Sequence, residues 1–459
     1  MLDVVVVGGG ASGVLCAARL MDASSAGAVR VRVVEPSERL AAGVAYGTDD
    51  PDHLLNVRAS GMSADPSRPL ELVEWITERG AGDGDTFVPR REYREYLLDH
   101  LDRAVRRAPA ATFELVADKV TGLEREHGRV VLRTATDARL ATDRVVLALG
   151  NSAPGVPTPL RALEGVPGWE PDPWAPGALE RASRADRVLL VGTGLTMVDV
   201  AITLGREGGG QMVALSRQGL LPHRHLAVQP HRPIEVIDLE RDGRDVLALQ
   251  ERLRARMYDR VGCEYEDEDW REVIDAVRPF ANALWRRFDE TQRRIFLDRV
   301  LRNWDVHRHR MSPLTASRLD TLRDGERVQV HTGNVLAARS TGGTGGAILA
   351  ELVLDGERRE LGFDAVVNCT GPGRSWLPPA NPLVADLVGS GRAVPDPFEL
   401  GLRADPEGRL LDAHGTASPE VLVIGPPRRG SLFETTAVPE LRSQALHLAD
   451  HLLVGDPFA

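Results

Sequence analysis

Two glycine-rich segments carry the clearest chemical signal in this chain: Gly8-Gly9-Gly10-Ala11-Ser12-Gly13 and, about 180 residues later, Gly192-Thr193-Gly194-Leu195-Thr196-Met197. Each comes after an apolar β-type run, Val4-Val5-Val6-Val7 or Val188-Leu189-Leu190-Val191, and opens an apolar helical run. Residues of this type at this spacing hold the pyrophosphate of a dinucleotide. One glycine makes the tight turn, a second lets the backbone approach the phosphates, and a third lets helix and strand pack closely. The phosphate charge then rests on the helix N-terminus. In the first segment these places fall to Gly8, Gly10 and Gly13, with Ser12 in the same turn. In the second they fall to Gly192 and Gly194, and Met197 replaces the third glycine, which predicts looser helix–strand packing.

The residue that ends the next strand distinguishes the two sites. The next β run of the first unit, Val31-Arg32-Val33-Val34, ends in Glu35, 22 residues after Gly13, where a carboxylate accepts from a ribose hydroxyl. The second unit's next run, Met212-Val213-Ala214-Leu215, ends in Ser216-Arg217. A hydroxyl and a guanidinium suit a 2′-phosphate, so NADPH is expected there rather than NADH. The bland alternative is a surface arginine after a strand. A chain that holds two dinucleotides is read as a flavoprotein fed by a nicotinamide, with FAD in the first site and NADPH in the second.

The remaining pattern positions these turns. Strand-like runs end in Leu149-Gly150 and, much later, in Cys369-Thr370-Gly371, so Gly150 and Gly371 mirror one another beside the two cofactors. A late run, Val421-Leu422-Val423-Ile424-Gly425, and a last helix from about Val438 to Leu452 are expected to complete the first unit, with the helix start near Thr435 and Thr436 facing the flavin and Gly425 beside it. From about Asp238 to Thr321, apolar residues at helical spacing (Leu249, Leu253, Met257, then Trp285, Phe288, Phe296, Leu301) predict a helical insertion whose aromatics are read as core. The fold class is therefore α/β, with two Rossmann-like dinucleotide-binding domains. Residues 1–155 and 372–459 are expected to bind FAD, and 156–371 to bind NADPH.

Composition excludes other classes. The net charge of −11 argues against nucleic acid or an anionic membrane as partner. No charged leader and no apolar stretch of spanning length is seen, so a cytoplasmic location is expected. Cys16, Cys263 and Cys369 are too few and too scattered for a disulfide framework or a zinc site, no metal is expected, and the lack of Cys-x-x-Cys removes the disulfide-reductase branch. Lys119 is the only lysine, which excludes a P-loop lysine and argues against a Schiff base.

Three segments are left for specificity. Gly43 to Gly47, His53-Leu54-Leu55-Asn56-Val57-Arg58-Ala59 and Met62-Ser63-Ala64 form either a structural loop or one passing over the flavin ring. Phe87 to Leu97 opens a helix after Pro89, and its charges are read first as a solvated face. Trp304-Asp305-Val306-His307-Arg308-His309-Arg310-Met311 either presents cations to an anion or is a structural turn.

The first glycine segment, Ala45-Tyr46-Gly47, His53 to Val57, Phe87-Val88-Pro89-Arg90-Arg91, Ser216 to Pro222 and Arg308-His309-Arg310 together resemble the FAD/NAD(P)-binding family that includes flavin-dependent urate hydroxylase and aspartate N-monooxygenase. More distantly the chain is similar to class B flavin monooxygenases and to ornithine and lysine N-hydroxylases. The resemblance implies tightly bound FAD, NADPH as hydride donor, and O2 activated as a C4a-hydroperoxyflavin that oxygenates a small polar or anionic substrate, an amino acid by N-hydroxylation. His53 and Asn56 become candidate catalytic residues by nearness to the ring. Arg58 stands where the family pattern has proline and Arg94 where it has glycine, which points to a more anionic substrate. Arg58, Arg91, His309 and Arg310 are the candidate substrate ligands. The competing reading is a flavoprotein reductase or oxidase without oxygen insertion.

Overall fold

The computed structural model describes residues 1–24, 29–37, 39–227, 234–258, 269–342, 348–373, 376 and 381–454. Cys263 and most of the Gly/Thr-rich turn at 341–346 lie outside the described residues.

Unbroken valine runs make strands that are buried on both faces, as parallel sheets covered by helices require. The first sheet has six strands in the spatial order Arg409–Leu411, Ala417–Val423, Arg144–Leu147, Leu2–Val7, Val29–Val34 and Thr112–Val116. Every pairing but that of the Arg409–Leu411 edge is parallel. Val4, Val5 and Val6 are fully buried, each contributing about 1.5–3 kcal/mol. On one face lie the helices Ala11–Ala23, Arg90–Arg107 and Val438–Val454. The other face packs on the helix Pro382–Gly389 and a three-stranded sheet, Val120–Glu126, Arg129–Thr134 and Arg139–Thr142.

The second sheet has seven strands, ordered Glu357–Phe363, Ile348–Leu354, Val328–Ser340, Gln211–Ser216, Arg187–Val191, Ala365–Asn368 and Trp169–Glu170. The last five are parallel, and the first two extend the sheet antiparallel. Helix Leu195–Arg206 covers it through Met197, Val200 and Leu204, so the methionine in the third glycine's place is itself fully buried core. Between the adjacent strands Gln211–Ser216 and Val328–Ser340 the described chain is helical over most of 239–324, with a π-helical turn at Phe296–Val300.

Candidate functional site

The two turns are built alike. Gly8 has φ +106° and Gly192 φ +116°, and a Cβ would stand 2.3 Å from Ala148 O in the first and 2.4 Å from Cys369 O in the second. Only glycine lets the turn press against the neighbouring strand end. Matching backbone bonds fix both: Gly8 N to Val34 O and Ala148 N to Val7 O, then Gly192 N to Leu215 O and Cys369 N to Val191 O, all 2.8–2.9 Å. Gly13 is equally constrained, since a Cβ there would lie 1.9 Å from Gly8 O. Gly150 and Gly371 take φ +70° and +80° in open space, so their requirement is conformational.

Gly10 and Gly194 differ from these. Their backbones are extended, with φ −69° and −85°, and they precede helices that no side chain caps. A Cβ on Gly10 would meet only Gly43, at 3.6 Å or more, and one on Gly194 only Arg302 Nη1, at 4.0 Å. Neither glycine is demanded by the protein's own packing. Each leaves a cradle over unpaired helix N–H groups that a Cβ would fill, and a dinucleotide pyrophosphate fits it.

Side chains around each cradle are held in place. Glu35 accepts from Gly9 N at 2.8 Å and from Ser37 N and Oγ at 3.1 and 2.9 Å, which sets its carboxylate beside the first turn. Ser12 is buried against Gly425, where a Cβ would come 2.7 Å from its Oγ. Gly425 N donates to Gln444 Oε1, and Thr435 Oγ1 donates to Gly425 O, so the start of the last helix is tied to the first turn. In the second unit Ser216 Oγ is held by Thr193 Oγ1 at 2.7 Å and by Gly219 N at 3.1 Å, whereas Arg217 is exposed with no partner among the described residues. Arg302, unremarked in the sequence, donates to Leu220 O at 2.6 Å and Thr193 Oγ1 at 3.2 Å beside this turn.

The segment after Glu35 joins the two units. His53 is fully buried, with Nδ1 2.7 Å from Thr48 Oγ1 and Nε2 2.9 Å from Thr203 Oγ1. Both ring nitrogens are therefore engaged, one of them by the helix after the second turn. Arg90 pairs with Asp199 of that helix at 2.8 Å, and Arg206 bonds Asp50 and Asp52. Burial alone would raise the Asp50 carboxyl, but the hydrogen bonds from Arg206 and Thr203 outweigh it and hold it at about 2. Arg58 Nη2 donates to Leu226 O and Ala227 O and Nη1 to Asp85, so both Nη atoms are held by a strap, while its Nε is buried without a partner among the described residues.

That strap brings several candidates to one place. His225 Nε2 lies 3.0 Å from Asn56 O, and His225 N donates to Met311 O, so Asn56, Arg58 and the His309–Met311 turn converge. Asn56 itself is half-buried, and Arg91, half-buried on its helix, has no ion pair or hydrogen bond among the described residues. Of the segment 304–311, the first five residues end helix Leu301–Arg308, with Val306 and Arg308 buried, and His309 to Met311 follow it outside the helix. Arg308 meets Glu434 at 3.4 Å, and Arg310, 2% exposed, pairs with Asp275 while its Nε and Nη1 are buried without partners among the described residues. Burial, then the nearby arginines, lowers His309 to about 4, so it is a neutral ring and not a cation at neutral pH.

Cys16 and Cys369 are free, buried thiols whose pKa burial raises, to about 12 for Cys16. Among the described residues no cluster suits a metal, and no helix is long and apolar enough to cross a membrane. Asp199 could have been found from sequence as an acid inside an otherwise apolar helix, a charge that needs a partner. Arg302 had no local signal.

Residues 5–152 match the family described as FAD-NAD(P)-binding. No curated protein matches the sequence. Among solved structures, L-lysine 6-monooxygenase from Pseudomonas syringae superposes with a TM-score of 0.66 at 17% identity, over 98% of this chain and 99% of that one. The ornithine hydroxylase from Pseudomonas aeruginosa gives 0.65 at 16%, over 99% of each chain. Ornithine N-hydroxylase from Kutzneria sp. 744, with reduced FAD, NADP+ and L-ornithine, gives 0.59 at 16%, over 98% and 99%. At such identities the likeness is one of fold: the chain has the architecture of two-dinucleotide-binding flavoproteins.

Proposed function

We propose that this protein is a cytoplasmic FAD- and NADPH-dependent monooxygenase that N-hydroxylates an amine-bearing substrate of amino-acid type, with O2 as co-substrate. One observation carries the reading: two turns of the same geometry, each with one glycine (Gly10, Gly194) that the fold does not itself require, in a chain whose fold is shared with N-hydroxylases of lysine and ornithine. FAD belongs in the first cradle, built from residues 1–155 and 372–459. NADPH belongs in the second, within 156–371.

The flavin supplies hydride acceptance and O2 activation when bound. The chain binds, orients and excludes water. Helix N–H groups at Ala11, Ser12 and Leu195 hold the two pyrophosphates, and Glu35 holds a ribose. Arg217, exposed and without a partner among the described residues, takes the 2′-phosphate, and Ser216 fixes its turn. His53, with both nitrogens engaged, is a positioning residue that fixes the loop carrying Asn56 to the second unit. Buried Arg310, with its two unpartnered nitrogens, is the candidate for a substrate carboxylate, and Arg58 shapes the strap rather than touching substrate.

The purified protein should be yellow, oxidise NADPH faster with a suitable amine, and place an atom from 18O2 in the product. NADPH oxidation that yields stoichiometric peroxide with every amine would instead establish a reductase or oxidase that inserts no oxygen.

A further inference from the structure

The helical segment packs on an apolar cluster of its own, around a cavity of about 240 Å³. What it offers the cofactors lies at its edge, on helix Leu301–Arg308. Arg302, half-buried in the first turn of that helix, reaches across to the second glycine turn. One terminal nitrogen, Nη2, is fixed there by Leu220 O at 2.6 Å and Thr193 Oγ1 at 3.2 Å. The other, Nη1, stands 4.0 Å from where a Cβ on Gly194 would lie, and beyond that glycine's chain neighbours no other described atom comes as close.

That position is chemically specific. The missing Cβ of this glycine is what lets the backbone approach a pyrophosphate, so the guanidinium overlooks the space that the helix N–H groups face. A pyrophosphate there meets backbone donors on one side and a cation on the other. Fixing Nη2 also removes rotamer freedom before any ligand arrives, so pairing through Nη1 costs little further ordering. The hydroxyl that steadies Arg302, Thr193 Oγ1, is 2.7 Å from Ser216 Oγ and donates to Leu220 O at 2.6 Å, which ties the guanidinium to the turn that carries Arg217.

The same helix reaches the other unit. Six residues on, about 9 Å along its axis, Arg308 meets Glu434 at 3.4 Å. Glu434 precedes Thr435, which bonds Gly425 against Ser12 of the first turn. One helix of eight residues therefore extends from the second cradle to the flank of the first.

We infer that Arg302 is the cation that pairs with the pyrophosphate of NADPH, and that through this pair the nucleotide fastens the helical segment across both units. The inference rests on the second cradle being the NADPH site, and it adds to that site a residue from outside the strand–turn–helix unit. Arg302 and Arg217 read different groups: the 2′-phosphate distinguishes NADPH from NADH, whereas both nucleotides carry the pyrophosphate.

Calorimetric titration of the FAD-loaded protein with NADP+ and with NAD+ tests it. Arg302→Gln should weaken both by about tenfold, the lower end for one charge-assisted hydrogen bond because the guanidinium is only half-buried, and should leave the ratio between them as in the wild type. Arg217→Ala should weaken NADP+ alone. Arg302→Lys keeps the positive charge and should recover most of the loss; this arm, with the melting temperature of each variant without nucleotide, separates lost charge from a disturbed turn, since Arg302 also bonds Leu220 O. Amide hydrogen exchange reads the fastening: at saturation NADP+ should slow exchange in Leu301–Arg308 of the wild type and not of Arg302→Gln. Equal affinities in the wild type and Arg302→Gln, or an Arg302→Lys protein no better than Arg302→Gln, overturn the pairing. NADP+ bound with exchange in that helix unchanged overturns the fastening. A wild type that takes up neither nucleotide refutes the NADPH site itself, whereas binding indifferent to residue 302 refutes this inference alone.

Discussion

Gly10→Ala separates what the first turn does for folding from what it does for the cofactor. The backbone at Gly10 has φ −69° and ψ −172°, open to any residue, and the added methyl meets only Gly43, at 3.6 Å or more. Without FAD the variant should melt as the wild type does, or slightly higher, because alanine narrows the unfolded ensemble by about 0.4–1 kcal/mol. With FAD the same methyl stands where the pyrophosphate must approach the helix. Losing one charge-assisted hydrogen bond costs about 1.5–3 kcal/mol, or on the order of 10- to 150-fold in Kd. The control is Gly8→Ala, whose Cβ would stand 2.3 Å from Ala148 O at φ +106° and should destabilise the apoprotein itself. Flavin absorbance retained after dialysis and melting curves with and without FAD read both effects. A Gly10→Ala protein that keeps FAD as tightly as the wild type would refute the assignment of the cradle.

Arg217→Ala should raise KM for NADPH by about tenfold or more and leave KM for NADH unchanged, since an exposed guanidinium without a partner contributes only to a 2′-phosphate; steady-state kinetics with both nucleotides check this. Asp199→Asn leaves Arg90, 15% exposed, without its countercharge and should destabilise the protein by about 3 kcal/mol, measured by urea unfolding. Glu71 is buried at 2% exposure; burial would raise its carboxyl, but bonds from His100 and Tyr96 and the charge of Arg103 hold it at about 2. Its contribution is complete above the ordinary value of 4.5 and is lost as pH falls from there to about 2, so Glu71→Gln should flatten that part of the stability profile. His309 acts in the adjoining window: it stays neutral in the fold down to about pH 4, whereas unfolded histidine takes a proton near 6.5. Stability should therefore drop as pH falls between these values, and His309→Gln should soften the drop.

The two turns were legible because their glycines answer to local constraints. A positive φ at Gly8 and Gly192 and an uncapped helix start after Gly10 and Gly194 act within a few residues and are recorded in sequence, although the strand ends that press on Gly8 and Gly192, at Ala148 and Cys369, lie far along the chain. The strands were legible for the same reason, since parallel strands buried on both faces permit little but valine, leucine and alanine. Partnership between distant residues left no such record. His53 reads as a ring free to do chemistry until Thr203, 150 positions later, is seen on its Nε2. Arg58 reads as an anion ligand until the carbonyls of Leu226 and Ala227 take its donors. A side chain's type states what it can bond, while only the tertiary fold states what it has already bonded. Among the described residues Arg91 makes no ion pair or hydrogen bond and Arg310 keeps two buried nitrogens without partners, whereas both Nη atoms of Arg58 are taken, a difference the sequence does not show. The aromatics at 285–304 make the converse case: helical spacing correctly placed them inward, but spacing cannot distinguish a filled core from one walled around a space.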